Sequence, residues 1–420
     1  MIQALQRRPL LLMVGLGLLA RLVVLFSYLA AHGGRVETWE YEVIARNLLD
    51  GKGYTLPDTA GTLHSFGSPL FPFISTLFHW VGGRENFVPY LIFQLALSLG
   101  LIGLIYRFTR RLFGETTALW ASLLVALEPG LVLFGSYRVH EMTLVVFLTV
   151  ATLELFVLLR ERCHASLAVS LGLVIGLGFL ARPTAIAFLP MLALWGILER
   201  RKKGTLPSVA VALVVAMLTV FPWVLRNYHV TGKWALLSQN WTESFWRGNN
   251  PLSTGSNLTQ DGRVLLEAAP EELREKVLLS DEQERHRIFW QESHRTIAQQ
   301  PLQFLRRCAQ KFWYFWWFAP TYGLTYREIP DLAKRGYQFL YGGLLSTAVI
   351  GLFWAYRALP RQDRLILAYL VTFAIGLASL HALVYVEGRH KLVIMPFLLM
   401  FSAYGGGMLY SRFFTRGEAA

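Results

Sequence analysis

The sequence has little charge for its length. Of its 420 residues, 16% are Asp, Glu, Lys or Arg, whereas a soluble domain typically contains about 25%. It has only two cysteines, Cys163 and Cys308, and the spans predicted below place them on opposite sides of a membrane, which excludes a disulfide framework. It also lacks Walker A, GxGxxG, CxxC and HExxH motifs. The low charge excludes a secreted or cytoplasmic globular protein.

Apolar residues are abundant instead. They make up 54% of the chain and come in long unbroken runs, which predict helices that cross a bilayer rather than the alternating strands of a barrel. The sequence therefore predicts an all-α polytopic membrane protein with about ten transmembrane helices. The predicted spans lie near 9–31, 86–106, 116–136, 142–159, 166–181, 183–199, 207–225, 336–356, 365–386 and 392–410.

Basic residues outnumber acidic ones and give a formal net charge of +13. In a membrane protein, Lys and Arg anchor cytoplasmic loops, so no nucleic acid partner is predicted. With ten spans, the basic clusters all fall on one side, which predicts a multi-pass protein of the cytoplasmic (inner) membrane with both termini in the cytoplasm. The clusters are Arg7/Arg8, Arg107/Arg110/Arg111, Arg160/Arg162, Arg200/Arg201/Lys202/Lys203, Arg357/Arg361/Arg364 and Arg412/Arg416.

Polar composition divides the chain into three predicted parts. Residues 1–226 form an N-terminal transmembrane module, which contains a first outer loop at 32–84. Residues 227–334 form a small extracytoplasmic helical segment with an interfacial helix, and residues 335–420 form the C-terminal transmembrane helices.

Three short helices are predicted outside the spans. In the first outer loop, the segment from Glu37 to Gly51 predicts a juxtamembrane amphipathic helix, which the glycine ends. In the extracytoplasmic segment, Ser280-Asp-Glu-Gln283 predicts a capping box at the start of a helix that reaches about Gln299. A further helix from Pro301 combines basic residues with an aromatic block, which is typical of a helix at the headgroup level.

The outer ends of the spans contain carboxylates and cations together. Positive charge in short outer hairpins runs against the usual orientation bias. Binding of an anionic ligand explains it, and contact with lipid phosphates is the alternative. The cations are Arg138, Arg182, Arg226, Arg389 and Lys391, and the carboxylates include Glu37, Glu40 and Glu141. The outer histidines His64, His140, His381 and His390 have no compact metal-ligand spacing, so no metal and no cofactor is predicted.

The first outer loop carries a resemblance to a known family. The residues Glu37-Thr-Trp-Glu-Tyr41-Glu-Val-Ile44-Ala-Arg46 resemble the first extracytoplasmic loop of GT-C superfamily glycosyltransferases. The most similar group contains the bacterial protein O-mannosyltransferases and the lipid A aminoarabinose transferases (family 39 type). Their pattern runs Asp-Glu-x-x-Tyr-x-x-Ile-Ala-Arg, and its Asp is catalytic. In an alignment without gaps, Glu37 occupies that position.

Further motifs of this family follow in the same order along the chain. The stretch 135–142 resembles the family's second acidic motif, with Glu141 in place of Asp. Arg182-Pro183 resembles the Thr-Arg-Pro turn, and Pro222-Trp-Val-Leu-Arg226-Asn227 resembles the Pro-Trp-x-x-Arg-Asn motif. The last outer hairpin, from Gly388 to Pro396, resembles the Arg-Tyr-Arg-x-x-x-x-x-Pro motif. Each motif alone is weak, whereas the ordered set is fairly specific.

The resemblance implies an inverting glycosyltransferase. Such an enzyme moves a sugar from a polyprenyl-phosphate-linked donor to an acceptor hydroxyl at the outer face of the membrane, with a first-loop carboxylate as general base. It implies Glu37 and Glu141 as catalytic residues. The implied substrate- and phosphate-binding residues are Glu40, Tyr41, Arg46, His64, Arg138, Arg182, Arg226, Asn227, Arg389 and Lys391. Two features depart from the pattern: both acidic positions are Glu, and Phe66-Gly67-Ser68-Pro69 lacks the Lys with which aminoarabinose transferases contact the lipid phosphate.

A different class of protein also fits the spans. A lipid or polysaccharide transporter would have many apolar helices and cationic outer grooves, but it would not need a carboxylate just beyond the first span. It would also show an internal repeat, which the sequence lacks. The sugar, and whether the acceptor is a lipid, a protein or a glycan, are not specified by the sequence.

The alternation of basic clusters gives a testable topology. We expect single cysteines placed near position 255 to react with an impermeant thiol reagent in intact cells, and those near position 204 to react only after permeabilisation, because 227–334 lies outside in the ten-span scheme. Labelling of the 204 site in intact cells would overturn this topology.

Overall fold

Long apolar helices form most of the chain in the computed structural model, which describes residues 9–58, 61–238, 240–319 and 329–414. The helices of the transmembrane part are α1 (Pro9–Ala31), α4 (Val88–Leu127), α5 (Pro129–Phe134), α6 (Met142–Arg162), α7 (Ala165–Ala181), α8 (Phe188–Leu198), α9 (Thr205–Thr231), α14 (Asp331–Ala358), α15 (Arg361–Leu383) and α16 (Met395–Phe414). Two 3₁₀ helices, Pro183–Ala187 and Gly388–Val393, precede α8 and α16.

Short elements lie in the loops that the sequence assigns to the outer side. In the first outer loop they are α2 (Glu40–Leu49), an antiparallel hairpin of β1 (Leu56–Asp58) and β2 (Gly61–Leu63), and α3 (Leu70–Gly82). The later segment contains α10 (Trp241–Asn249), α11 (Glu271–Leu279), α12 (Glu282–Gln299) and α13 (Pro301–Trp316).

The all-α polytopic fold class is confirmed. Among the described residues, six helices are long and apolar enough to cross a membrane: α1, α4, α6, α9, α14 and α15. Shorter apolar helices cover Leu70–Gly82, Ala165–Ala181 and Pro183–Leu198. Helix α4 is kinked at Gly114, whose φ of 81° and ψ of −179° leave the helical region, so this helix covers parts of two predicted spans.

Three predicted boundaries are wrong. The span predicted at 116–136 ends at Leu127, because the side chain of Glu128 accepts a hydrogen bond from the Leu131 N–H at 2.6 Å and caps a new short helix. Helix α12 is capped by Asp281 and not by Ser280. The amphipathic helix predicted from Glu37 begins at Glu40, since the backbone of Glu37 pairs with another loop, as described below.

A buried arginine ties the first helix to the bundle. Arg21 donates to the Ser98 hydroxyl at 2.6 Å and to the Ala126 carbonyl at 2.9 Å, both on α4. An ionised side chain inside a membrane protein needs such partners, because no water solvates it there. The contact fixes α1, which leads directly into the first outer loop.

The polar segment at 227–334 contacts the loop after α15. The buried Lys311 of α13 donates to the Asn249 side-chain oxygen at 2.7 Å and to the Val384 carbonyl at 2.9 Å, and burial lowers the pKa of Lys311 to about 8. A Cβ atom at Gly248 would lie 1.8 Å from the Val384 carbonyl oxygen. Only glycine therefore allows α10 to approach this loop so closely. Cys163 and Cys308 are both free.

Glycines set the crossing of α14 and α16. A Cβ atom at Gly351 would lie 2.0 Å from the Phe401 carbonyl oxygen, and one at Gly405 would lie 2.1 Å from the Thr347 carbonyl oxygen. Small residues at such crossings allow helix backbones in a membrane to pack in direct contact.

This crossing predicts different effects for two adjacent glycines. We expect Gly405→Ala to lower the thermal unfolding temperature of the detergent-purified protein, because the added methyl group forces α14 and α16 apart; overpacking of this kind typically costs about 1–3 kcal/mol. Gly406→Ala is the matched control, since a Cβ atom there meets nothing within 4 Å. Equal unfolding temperatures for both variants would contradict the proposed close packing.

Candidate active site

The first outer loop joins the loop before α6 through Glu37. The Val139 N–H donates to the Glu37 carbonyl at 2.8 Å, and the Glu37 N–H donates to the Tyr137 carbonyl at 3.3 Å. The side chains meet as well: Arg138 Nε lies 2.9 Å from Glu37 Oε2. The Arg138 side chain is buried, whereas the Glu37 side chain is 26% exposed. Glu37 is thus a partly accessible carboxylate held in place by its own backbone.

A second set of charges is buried beside this pair. Oε2 of Glu141 lies 2.9 Å from Nδ1 of His140, and Oε1 of Glu141 lies 3.1 Å from the Arg182 guanidinium. Arg389 lies 3.3 Å from His140 Nε2 and 3.0 Å from Glu387 Oε2. Three outer hairpins, separated by many residues in the sequence, therefore supply one network.

His140 contacts groups on both sides of its ring. Its Nδ1 accepts a hydrogen bond from the Met142 N–H at 3.2 Å, and its Nε2 faces the Arg389 guanidinium at 3.3 Å. Burial lowers the pKa of His140, which favours the neutral ring. The ring therefore lies between Glu141 and Arg389 and links these two charged side chains.

Glu141 is ionised in this network. Burial alone would raise the pKa of Glu141, but His140, Arg182 and Arg389 lower it to about 2. A carboxylate with so low a pKa and two cationic neighbours binds protons weakly. Its geometry is that of a group that positions Arg182 and His140.

The sequence analysis missed residues that hold Arg389. Asn257 Nδ2 donates to Glu387 Oε1 at 2.5 Å, and Glu387 in turn pairs with Arg389. The guanidinium of Arg389 also lies 5.5 Å from the centre of the Trp39 ring. The sequence offers no signal for Asn257 beyond an Asn-Leu-Thr sequon, whereas Glu387 directly precedes the motif that contains Arg389.

Two predicted residues of the first loop flank the site, and one supports it from a distance. Tyr41 meets His140 edge-on, with ring centres 6.1 Å apart. Glu40 is exposed at the start of α2. Arg46 pairs instead with Glu42 and Glu85, each at 3.1 Å.

The Arg46 network stabilises the first loop itself. Glu42 also pairs with His79 of α3 at 2.7 Å. The hydrogen bond to Glu42 raises the pKa of His79. Burial would raise the pKa of Glu42, but the contacts of Glu42 with His79, Arg46 and Ser75 outweigh burial and lower that pKa. This pair joins α2 to α3 and therefore fixes the loop that carries Glu37.

Arg226, Asn227 and His64 form a separate group. Arg226 donates to the His64 carbonyl at 2.6 Å and to the Tyr54 carbonyl at 3.2 Å. The Asn227 amide donates to the Leu237 carbonyl at 2.9 Å. The His64 side chain is exposed. Through these hydrogen bonds, Arg226 and Asn227 hold backbone groups of the first loop and of residues 235–237.

The Lys391 ammonium group lies against two aromatic rings. Its Nζ lies 3.5 Å from the centre of the Phe318 ring and 4.4 Å from that of Tyr341, and it donates to the Trp317 carbonyl. Burial lowers the pKa of Lys391 to about 7. The structure therefore places Lys391 at the junction with α14, next to Arg389 along the chain but with different partners.

A narrow apolar gap lies between the helices near this network. It lies next to the turn that holds Arg182 and the 3₁₀ helix that follows Glu387, since Thr184 and Val393 both line it. Its other lining residues include Val145, Leu148, Phe188, Phe373 and Leu377. Across the ranges that the structure describes, no group of three or more His, Cys, Asp or Glu side chains is arranged to hold a metal ion.

Comparison with known proteins identifies similar sequences and folds. Residues 66–225 match the family model described as dolichyl-phosphate-mannose-protein mannosyltransferase. The chain is 28% identical over 219 residues to the undecaprenyl phosphate-alpha-4-amino-4-deoxy-L-arabinose arabinosyl transferase of Edwardsiella ictaluri, a match that covers 49% of this chain and 39% of that protein. The chain thus aligns with about two fifths of the length of this curated relative.

Solved structures share the fold. One is the oligosaccharyltransferase of Archaeoglobus fulgidus in a complex with Zn and sulfate, which is 16% identical and has a TM-score of 0.59. This match covers 97% of the present chain and 50% of the oligosaccharyltransferase chain. Another is the oligosaccharyltransferase AglB of the same organism in complex with an inhibitory peptide and a dolichol-phosphate, which is 13% identical and has a TM-score of 0.56. This match covers 97% of the present chain and 51% of the AglB chain. These structural matches show a shared fold. The family model and the curated relative confirm the resemblance to GT-C superfamily glycosyltransferases that the order of the motifs predicts.

Proposed function

We propose that the protein transfers a sugar from a polyprenyl-phosphate-linked donor to a hydroxyl group of an acceptor at the outer face of the membrane. One observation carries this proposal: Arg182 and Arg389, whose side chains are 11% and 12% exposed, are joined through Glu141 and His140 in one network, near the loop carboxylate Glu37. Cations held in this way can bind the headgroup of a lipid phosphate, and the apolar helices that carry them offer a surface for its chain.

Arg389 is the proposed phosphate ligand. Its side chain is only 12% exposed and contacts Glu387 and His140, so its guanidinium is positioned before the donor arrives. Positioned cations stabilise charge that develops on a leaving group, and they do so more strongly where water is excluded. Arg182 lies on the other side of Glu141 and can share this role.

Glu37 is the proposed general base. Both Glu37 and Glu141 contact arginines, but Glu141 is buried with a pKa of about 2, whereas Glu37 is partly exposed beside Arg138. In the proposed step, the acceptor oxygen attacks the anomeric carbon and its proton passes to Glu37. The bond between that carbon and the phosphate oxygen breaks, and polyprenyl phosphate leaves without a general acid. A single displacement of this kind inverts the anomeric configuration.

The relatives support the donor class rather than a particular sugar. The family model is described as acting with dolichyl-phosphate-mannose, and the curated relative with an undecaprenyl phosphate derivative of aminoarabinose. A polyprenyl phosphate carrier is common to both descriptions, while the sugar is a hexose in one and a pentose in the other. Both descriptions are of transferases, which favours this proposal over transport.

The role of Arg389 predicts a graded loss. We expect Arg389→Ala to weaken donor use by about 1.5–3 kcal/mol, as for loss of a hydrogen bond to a charged group, and Arg389→Lys to restore only part of it, because lysine cannot donate in a bidentate manner. The measurement is kcat/KM for undecaprenyl-phosphate-mannose and for the aminoarabinose derivative with purified protein. Full activity of the Arg389→Ala variant would contradict the assignment of Arg389 as the phosphate ligand.

The role of Glu37 predicts loss of turnover without loss of binding. We expect Glu37→Gln to lower kcat at least about 100-fold, because a general base typically contributes 10²–10⁴-fold, while the affinity for undecaprenyl phosphate remains. Glu37→Asp should retain some turnover, since the carboxylate is kept.

Glu40→Gln is the matched control, since Glu40 is a nearby exposed carboxylate. Normal turnover of Glu37→Gln, with an inactive Glu141→Gln variant, would assign the base to Glu141 instead.

A further inference from the structure

A stacked pair of histidines lies next to Arg389. His381 is in the last turn of α15, and His390 follows Arg389 in the 3₁₀ helix. The ring centres are 4.0 Å apart and the planes differ by 24°. Both side chains are buried. His381 also stacks on Phe315 with 5.7 Å between ring centres, so the rings are fixed by packing.

The hydrogen bonds of His381 define where its proton lies. Its Nδ1 is 3.3 Å from the Tyr385 carbonyl oxygen, and a carbonyl can only accept. The proton is therefore on Nδ1, which leaves Nε2 of a neutral ring as an acceptor.

His390 has the opposite tautomer. The Glu387 N–H donates to its Nδ1 at 3.2 Å, so Nδ1 carries no proton and the proton of the neutral ring lies on Nε2. Burial, together with the nearby His381, Arg182 and Arg389, lowers the pKa of His390 well below its usual value. The ring is accordingly neutral, and its Nε2 is a donor.

Both Nε2 atoms are buried, and neither has a hydrogen-bond partner among the residues that the structure describes. Buried polar groups in native proteins are nearly always paired, so a pair left open beside a ligand site indicates a ligand. One nitrogen accepts and the other donates. A phosphate dianion offers only acceptors and a metal ion requires two lone pairs, whereas a hydroxyl both donates and accepts.

We propose that His381 and His390 bind a hydroxyl group of the sugar on the donor. This inference rests on the proposed function, in which Arg389 holds the phosphate; the sugar is bonded to that phosphate and so reaches the residues next to Arg389. The pair is then a specificity element of the site, separate from the residues that hold the carrier.

Asparagine and glutamine variants test the roles of Nδ1 and Nε2 separately in each histidine. An Asn amide reaches the position of Nδ1 and can keep the bond to Glu387 N–H or to the Tyr385 carbonyl, but it removes the group at Nε2. A Gln amide reaches the position of Nε2. We therefore compare His381→Asn, His390→Asn and the two Gln variants with wild type and with His164→Gln, an exposed histidine far along the chain.

The measurement is the ratio of dissociation constants for bare undecaprenyl phosphate and for the same carrier bearing mannose or 4-amino-4-deoxy-L-arabinose. We expect wild type and His164→Gln to prefer one sugar-bearing carrier. Each Asn variant should lose about three- to tenfold of that preference, the effect of one hydrogen bond, with unchanged affinity for the bare carrier. The Gln variants should recover part of it.

Several results would overturn the inference. An unchanged preference in the Asn variants would mean that the pair binds only a buried water molecule. Equal weakening for bare and sugar-bearing carriers would mean a structural role. A wild type that does not distinguish the carriers would exclude a sugar contact while leaving carrier binding intact. A wild type that binds no carrier would instead contradict the proposed function itself.

Discussion

The site depends on the pairing of two arginines that are largely shielded from water. The side chains of Arg182 and Arg389 are 11% and 12% exposed, and each has a carboxylate within 3.1 Å. A buried charge without a partner is strongly destabilising, so the hairpins that carry these residues and the loop that carries His140 and Glu141 must converge for the chain to fold. The same requirement that stabilises the outer end of the bundle also concentrates cations at one point, which is the arrangement that an anionic headgroup needs.

The surrounding structure keeps this network rigid. In the segment at 227–334, Asn257 binds Glu387, the partner of Arg389, and Lys311 binds the loop after α15. The pair of Glu42 and His79 stabilises the first loop. Below them, glycines such as Gly405 allow helix backbones to pack without intervening side chains. Positioned groups of this kind need little reorganisation when charge develops during a reaction, so the packing of distant elements bears directly on the chemistry.

Hydropathy predicted the helices, whereas it could not predict which loop residues meet. Apolar runs are local features, and they identified most of the long helices, while a capping pattern and a basic segment beside an aromatic block identified the helices that begin at Glu282 and Pro301. The bridge between Glu37 and Arg138 joins residues 101 positions apart, and the contact between His140 and Arg389 joins residues 249 apart. Such pairs follow from tertiary packing alone. For the same reason, the sequence grouped Arg226 and Lys391 with Arg389, although the structure gives them backbone and aromatic partners of their own.

Burial also separates two residues of the same type. Glu37 and Glu141 both stand where the family pattern has an acidic residue, and both contact an arginine. Glu141 is enclosed by His140 and Arg182, so its carboxylate is committed to holding charge in place. The Glu37 side chain is 26% exposed beside Arg138, and the backbone pairing of Glu37 with residues 137–139 leaves this side chain at the edge of the network. An acceptor hydroxyl can approach a carboxylate at that edge, whereas a buried ion pair would first have to be broken. In the proposed mechanism, the environment of each carboxylate, rather than its residue type, therefore decides whether it positions other charges or accepts a proton.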